Sequence, residues 1–490
     1  MSIGQHRRGR PSGRKDLGGR PRLFFGGQCY SFHIPSIQPL SHVVRWRMKL
    51  TTIRSTAVAV PSADPAVVSA PTPRRVVLPL GGPWGKATPL VSDGETVRAG
   101  QRVAERPDLR LPAVYAPISG RVDGIRDKYR HTGEKGPALV IVGNGSQEPP
   151  ASEKPPLDDP VALARFLASV APPEVDPHPW PPAARLASPE VAAKALDLTD
   201  PPFDRPLETL ILNALDRQPG DLLRRTVARR FFRELAEAVP QLRALSGARR
   251  IVFAWYQGSD LPRDLQEALQ RAGVDIVRLP CKYPIALEPL LVQAVTGKEV
   301  PMPEGDTRRL GCAVLDVCTA VSLSRSMATG TAPLTAFLQF AVPSRKMMTV
   351  YEVTTGTPLE ELTAQTERPH GAPSKVIAGG LFLGYAQHDL SVPLTSDVES
   401  VFFLGPGEAA GYNYRACFNC GNCVDRCPVN LMPNELGKYC EFGRFEEAER
   451  QHLFQCIECG LCAYVCPANR PMLHLLRYGK HELIQMRKES

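Results

Sequence analysis

The sequence predicts a multidomain α+β chain, and three observations carry that expectation. Its 490 residues exceed one hydrophobic core and suit three or four domains. Along the chain, short β-type runs between Gly-rich turns give way to alternating strand and helix patterns. Eight of the thirteen cysteines fall in two tight runs within the last eighty residues.

Composition narrows the class. An apolar share of 43% with 22% charged residues is that of a globular protein, and 49 prolines point to linkers and long loops. The net charge of +9 comes from one place: residues 1–50 hold ten Lys/Arg and a single acid, Asp16. The remainder is neutral, so a basic nucleic-acid-binding face is not expected of the folded part, and no nucleic acid partner is assigned. Residues 1–72 are expected to be a basic, disordered extension, with Met48 a plausible alternative start and a transit peptide the weaker option. No apolar run reaches the length of a membrane span; the longest candidate, 332–342, is short and contains Gln339.

The elements follow in order. Residues 73–148 read as β: Arg75 to Leu80, Glu95 to Val97 and Leu139 to Val142 lie between glycine turns. This stretch resembles the barrel-sandwich hybrid of lipoyl and biotinyl domains. Its tip, Ala104 to Val114, contains no lysine, so no lipoyl or biotin attachment is expected. Residues 149–206 hold fifteen prolines and are expected to be a Pro-rich linker, interrupted by helices at Pro160 to Val170 and Pro189 to Leu198. Residues 207–340 form an α/β core: strands at Leu207 to Leu212, Arg250 to Trp255, Val274 to Leu279 and Leu310 to Val317, and helices at Leu222 to Ala238, Leu261 to Ala272 and Leu287 to Val295. Residues 341–385 contain strands at Met348 to Val353 and Lys375 to Ala378; with the turn and helix start after the first, they read as a small β-grasp (SLBB-like) unit. Residues 386–408 are a connector, 409–478 the cysteine module and 479–490 a charged helical tail.

The cysteine module carries the chemistry. Cys417, Cys420, Cys423 and Cys427-Pro428 repeat as Cys456, Cys459, Cys462 and Cys466-Pro467, each with the C-x2-C-x2-C-x3-C-P spacing of bacterial [4Fe–4S] ferredoxins. In that arrangement three cysteines surround one cluster and the fourth reaches the other. Cys417, Cys420, Cys423 and Cys466 are therefore expected to hold cluster 1, and Cys456, Cys459, Cys462 and Cys427 cluster 2. Two complete runs of four disfavour structural zinc, which takes separated pairs, and disulfides. Gly421 and Gly460 would free backbone amides to approach cluster sulfur. Two helices are expected between the runs, over Pro433 to Phe454. Cys440, Cys281, Cys312 and Cys318 read as buried apolar filler. His178, His370 and His388 read as loop or surface residues, and Trp84, Trp180 and Trp255 as packing residues.

Taken together, Val77 to Leu80, Ala116 to Gly120, Leu279-Pro-Cys-Lys-Tyr-Pro284, Leu291 to Pro301, Thr354 to Pro358, Ala378 to Gly384, Val392 to Leu394 and Cys456 to Pro467 resemble RnfC, the peripheral iron–sulfur subunit of the Rnf ion-translocating electron-transport complex. The resemblance covers about residues 73–478 and implies a core like the flavin- and NADH-binding subunit of respiratory complex I. There the chain departs from the family. The family's Gly-rich loop corresponds to Ala171 to Arg185, which has no glycine and is rich in proline, a residue with no N–H to offer a phosphate. Asn213 to Pro219, Ile285, Ala286, Pro289 and Asp316 to Ala320 also differ from the family's patterns, while Glu288 is kept. No catalytic residue and no FMN- or NADH-binding residue is therefore assigned, and FMN is doubtful. The implied function is a peripheral electron-transfer subunit of a membrane-associated oxidoreductase complex, relaying electrons through two [4Fe–4S] clusters. Its partners would be other subunits and a ferredoxin or similar one-electron carrier, at the cytoplasmic face of the cell membrane. The alternatives are an FMN-dependent NADH-oxidising subunit and a structural adaptor whose clusters act as staples.

Overall fold

The computed structural model describes residues 65–489, apart from 83–84, 109–110, 146–153, 173, 175–181, 198–202, 204, 303–304, 367–372 and 410–414. Before residue 65 it describes only the hairpin β1 (Arg22–Phe25) and β2 (Gln28–Ser31). Expectations for Met48, Trp84, His178, Trp180 and His370 lie outside the described residues.

The expected extension 1–72 ends differently: β3 (Val67–Ser69) pairs in parallel with a later strand, so 67–69 belong to the fold. The first β unit comprises β4 (Arg75–Pro79), β5 (Thr88–Pro89), β6 (Thr96–Val97), β7 (Arg102–Glu105), β8 (Val114–Tyr115), β9 (Gly120–Tyr129) and β10 (Lys135–Gly143). Two sheets, in the orders β4-β10-β9-β6 and β5-β7-β8, enclose a core of Val76, Leu78, Val97, Val103, Leu139 and Ile141.

The Pro-rich segment carries the two helices expected of it and a third between them. It supplies α1 (Pro160–Val170), α2 (Pro182–Leu186) and α3 (Pro189–Ala195), whose Leu163, Leu167 and Leu186 join the main core. Pro160 and Pro189 each follow a capping residue, Asp159 and Ser188, whose side chain accepts from the first free amides. A proline in the first helical turn has no useful N–H to lose and a φ already suited to the helix, so these prolines start helices.

The α/β core runs β11 (Thr209–Asn213), α4 (Leu223–Arg230), α5 (Phe232–Ser246), β12 (Arg250–Tyr256), α6 (Arg263–Arg271), β13 (Asp275–Leu279), α7 (Glu288–Thr296), β14 (Cys312–Asp316) and α8 (Val317–Thr329). Its sheet is all parallel in the order β13-β12-β11-β14. All five residues of β11 are buried, as befits a strand covered on both faces. The single helix expected at Leu222 to Ala238 is two helices, parted at Phe231, whose ring packs on Phe337 at 5.2 Å.

A six-stranded mixed sheet follows, in the order β19-β18-β21-β15-β16-β3. Its strands are β15 (Thr335–Val342), β16 (Met347–Thr354), β18 (Lys375–Ala378), β19 (Tyr385–Gln387) and β21 (Ser400–Leu404), beside the short pair β17 (Thr357–Pro358) and β20 (Pro393–Leu394) and helix α9 (Leu359–Gln365). The sheet therefore begins before 341 and ends after 385. Residues 386–408, expected as a connector, contain β21, which is buried along its length and lies inside the sheet between β18 and β15. The apolar run 332–342 is strand β15, and its Gln339 is fully buried because it accepts from Leu222 N at 2.6 Å and donates to Gly220 O at 2.8 Å.

The C-terminal unit comprises α10 (Asn422–Asp425), α11 (Pro433–Glu441), α12 (Phe445–Arg450), α13 (Leu461–Tyr464) and α14 (Met472–Glu489). Helix α14 runs through the expected boundary at 478, so residues 479–489 continue this unit and are not a separate tail. Among the described residues no helix is long and apolar enough to cross a membrane.

Candidate iron–sulfur centre and the crevice of the parallel sheet

The two cysteine runs are built alike. Each loop carries one non-glycine residue at positive φ, Asn419 and Glu458, both at 56°, followed two residues later by Gly421 at 81° and Gly460 at 74°. These left-handed turns aim backbone amides at sulfur: Asn419 N donates to Cys417 Sγ and Glu458 N to Cys456 Sγ, each at 3.4 Å, and Leu431 N donates to Cys427 Sγ at 3.3 Å. One-turn helices α10 and α13 follow, and Asn430 and Asn469, at φ 54° and 50°, turn the chain away after Cys427-Pro428 and Cys466-Pro467.

The structure brings Cys466 of the second run to Cys417, Cys420 and Cys423 of the first, and these four line one pocket with Phe418, Asn434 and Met472. Cys427 is buried against the second run. Burial is the main cause that pushes the Cys456, Cys459 and Cys462 thiols up, and Cys427 is among the further neighbours that do so for all three. Among the described residues, no group of three or more His, Cys, Asp or Glu is set to hold a single metal ion. Four thiols lining one pocket, with an amide directed at the Cys417 sulfur, fit the four-cysteine ligation of an iron–sulfur cluster.

The two sites differ in surroundings. In the first, Cys420 is exposed and Phe418 is 62% exposed. In the second, Cys459 and Cys462 are buried. Tyr283, just after β13, donates its hydroxyl to Cys459 O at 2.6 Å. Its ring lies 5.2 Å from that of Phe382, which lies 5.3 Å from Tyr464. Gln218 fixes the Phe382 loop by accepting from Phe382 N and Leu383 N and donating to Gly379 O. A Cβ on Gly380, at φ +95°, would lie 1.8 Å from Gln218 Nε2, so the loop closes only on glycine. Sequence reasoning did not single out Gln218, Tyr283 or Phe382 as site-building residues; they come together only through the fold.

In a parallel sheet, ligands enter at the carboxyl ends of the strands, where neighbouring connections diverge. Here that place lies between β11 and β14, and the protein's own charges occupy it. Arg224 is nearly fully buried and bridges Asp316, which caps α8, and Glu399, which it meets at 2.8 Å. Arg185 of α2 donates to Val314 O at 2.7 Å, pairs with Glu174 and lies 3.6 Å from Glu288. Burial raises the Glu174 carboxyl to about 7 despite Arg185. Burial, then Glu399 and Asp216, push Asp221 well above the usual carboxylate range, and it accepts from Ser400 at 3.0 Å. Asn213 donates to Ala286 O at 3.1 Å.

The remaining expectations divide. Cys440 is fully buried and Cys312 nearly so, whereas Cys281 is exposed, because it sits in the turn after β13 and not in the core. Cys318 is half-buried. Trp255 is a packing residue, stacked 5.7 Å from Phe253. His388 makes an edge contact with Tyr129 at 4.8 Å.

A cysteine module with ferredoxin spacing beside a β sandwich and a parallel α/β core defines the class: an iron–sulfur protein assembled from several domains. Residues 54–146 match the RnfC barrel sandwich hybrid domain, and residues 409–467 match the 4Fe-4S dicluster domain. The chain is 28% identical over 432 residues to a subunit of the Na(+)-translocating ferredoxin:NAD(+) oxidoreductase complex of Acetobacterium woodii, spanning 85% of this chain and 93% of that one. It is 30% identical over 442 residues to a subunit of the ion-translocating oxidoreductase complex of Pseudomonas aeruginosa, spanning 86% of this chain and 54% of that longer protein. Among solved structures it is similar to a chain of an NAD+-reducing [NiFe]-hydrogenase in the air-oxidized state, with a TM-score of 0.45 and 17% identity over 66% of this chain and 64% of that one. Over most of its length the chain is thus similar to C subunits of ion-translocating oxidoreductase complexes.

Proposed function

We propose that the chain is a peripheral iron–sulfur electron-transfer subunit of a membrane-associated, RnfC-like oxidoreductase complex, and that it does not itself oxidise NADH. The observation that carries the first half is the meeting of Cys466 with Cys417, Cys420 and Cys423 around one pocket. That set would hold an outer cluster, and Cys456, Cys459, Cys462 and Cys427 an inner one. When bound, [4Fe–4S] clusters supply one-electron transfer. The chain's part is to fix the thiols, direct amides at sulfur, leave the outer site open beside Phe418 and enclose the inner one against Tyr283 and Phe382. A one-electron carrier such as a ferredoxin would meet the outer site. Other subunits would hold the chain at the cytoplasmic face of the membrane. The six-stranded sheet with α9 is read as the β-grasp unit.

The second half rests on the crevice. Arg224, Asp316, Glu399, Arg185 and Glu174 fill with internal pairs the place where a flavin or dinucleotide phosphate would need free donors. The relatives whose printed names include NAD(+) favour the alternative, a flavin-dependent NADH-oxidising subunit. The ligand sets are tested by serine substitution and electron paramagnetic resonance of the reduced protein. Cys466→Ser should remove the same signal as Cys420→Ser. Removal instead of the signal lost in Cys459→Ser would overturn the pairing across runs.

A further inference from the structure

The two cysteine runs repeat at an offset of 39 residues, and the match extends beyond the ligands. Asn419 corresponds to Glu458, α10 to α13, and Lys438 of α11 to Arg477 of α14. In the first half, Lys438 Nζ donates to Asn419 Oδ1 at 3.1 Å and to Glu435 Oε1 at 2.9 Å, one cation set against one carboxylate. In the second half, Arg477 Nε donates to Glu458 Oε2 at 2.8 Å, and a further cation is present. Lys480 Nζ donates to Glu458 Oε1 at 2.8 Å and to the carbonyl of the ligand Cys456 at 2.7 Å. Its counterpart in the first half is Glu441, paired with Arg470. The groups paired around Glu458 and the Cys456 carbonyl thus sum to one positive charge, and those paired around Asn419 to none.

The charge sits where it acts strongly. The Lys480 side chain is only 15% exposed, so water screens it poorly. Reduction adds one electron to a cluster and moves no proton. A buried site disfavours the added negative charge, and a fixed neighbouring cation favours it.

We propose that Lys480 is a positioning residue for electron transfer, raising the reduction potential of the inner cluster so that burial does not remove it from the relay. The inference rests on the two-cluster reading above. It is tested on the anaerobically purified full chain by redox titration with dithionite and mediators, followed by electron paramagnetic resonance. The inner signal is the one lost in Cys459→Ser. Lys480→Met is expected to lower the midpoint of that signal and leave the outer one in place, and Lys480→Arg to restore it. Glu458→Gln removes the opposing charge and is expected to raise the same midpoint, so it decides the matter even where Lys480→Met fails to hold its cluster. Inner midpoints unchanged in both variants, shifted alike in both, or accompanied by an equal shift of the outer signal would overturn the proposal. Failure of the two-cluster reading shows separately, as a wild-type protein that holds about four iron atoms per chain instead of about eight.

Discussion

The C-terminal unit and the parallel-sheet crevice are both places where the fold gathers polar groups, and they use them in opposite ways. At the cysteine loops, positive-φ residues hold amides and thiols around a pocket and leave them available. At the ends of β11 and β14, carboxylates and guanidinium groups pair with one another. The first arrangement gathers thiols around a pocket, whereas the second sets charge against charge. A parallel sheet with a switch point is therefore not evidence of a nucleotide site until the charges there are accounted for.

The contrast breaks most clearly at a ligand. Cys459→Ser should leave about four iron atoms per chain where the parent holds about eight, by iron and sulfide analysis, since one cluster is lost and one kept. Next is the crevice: Arg224→Ala strands Asp316 and Glu399 in the interior and should cost about 3–5 kcal/mol in denaturant unfolding. Iron content should be unchanged, because the pair does not touch the cysteine loops.

Two smaller effects sharpen the account. The folded-state carboxyl of Glu174 titrates at about 7, above the ordinary value of 4.5, so the folded chain binds this proton more tightly than the unfolded one. Its contribution is present below about pH 4.5 and is lost as pH rises to about 7. The stability difference between the parent and Glu174→Gln should therefore fall across that window and be flat above it; a difference independent of pH would show that Glu174 is not buried as described. Tyr283→Phe removes the hydroxyl that donates to Cys459 O and should cost about 1 kcal/mol while both clusters stay bound.

Much of this was legible in the sequence, for identifiable reasons. The cysteine spacing states its chemistry outright, and the buried strands of the α/β core are short apolar runs between helical patterns. Strand β21 was missed because Ser400 to Leu404 is too short to show a period, and only pairing with β15 and β18 makes it a strand. Helices α1 and α3 were legible where a proline follows a capping residue, whereas α2 was hidden in the proline-rich run before it. The charges filling the crevice come from residues as far apart as Arg185, Arg224, Asp316 and Glu399, and no local pattern could have joined them. Tyr283 and Gln218 share that limit, since their partners lie more than 150 residues away.

The central claim is that electrons pass through the cysteine loops while the crevice takes no hydride-accepting cofactor. Flavin analysis of the anaerobically purified, cluster-replete protein, followed by NADH addition, tests it most directly. The account expects no stoichiometric flavin, cluster absorbance bleached by dithionite and unchanged by NADH. One FMN per chain, with clusters reduced by NADH, would contradict it.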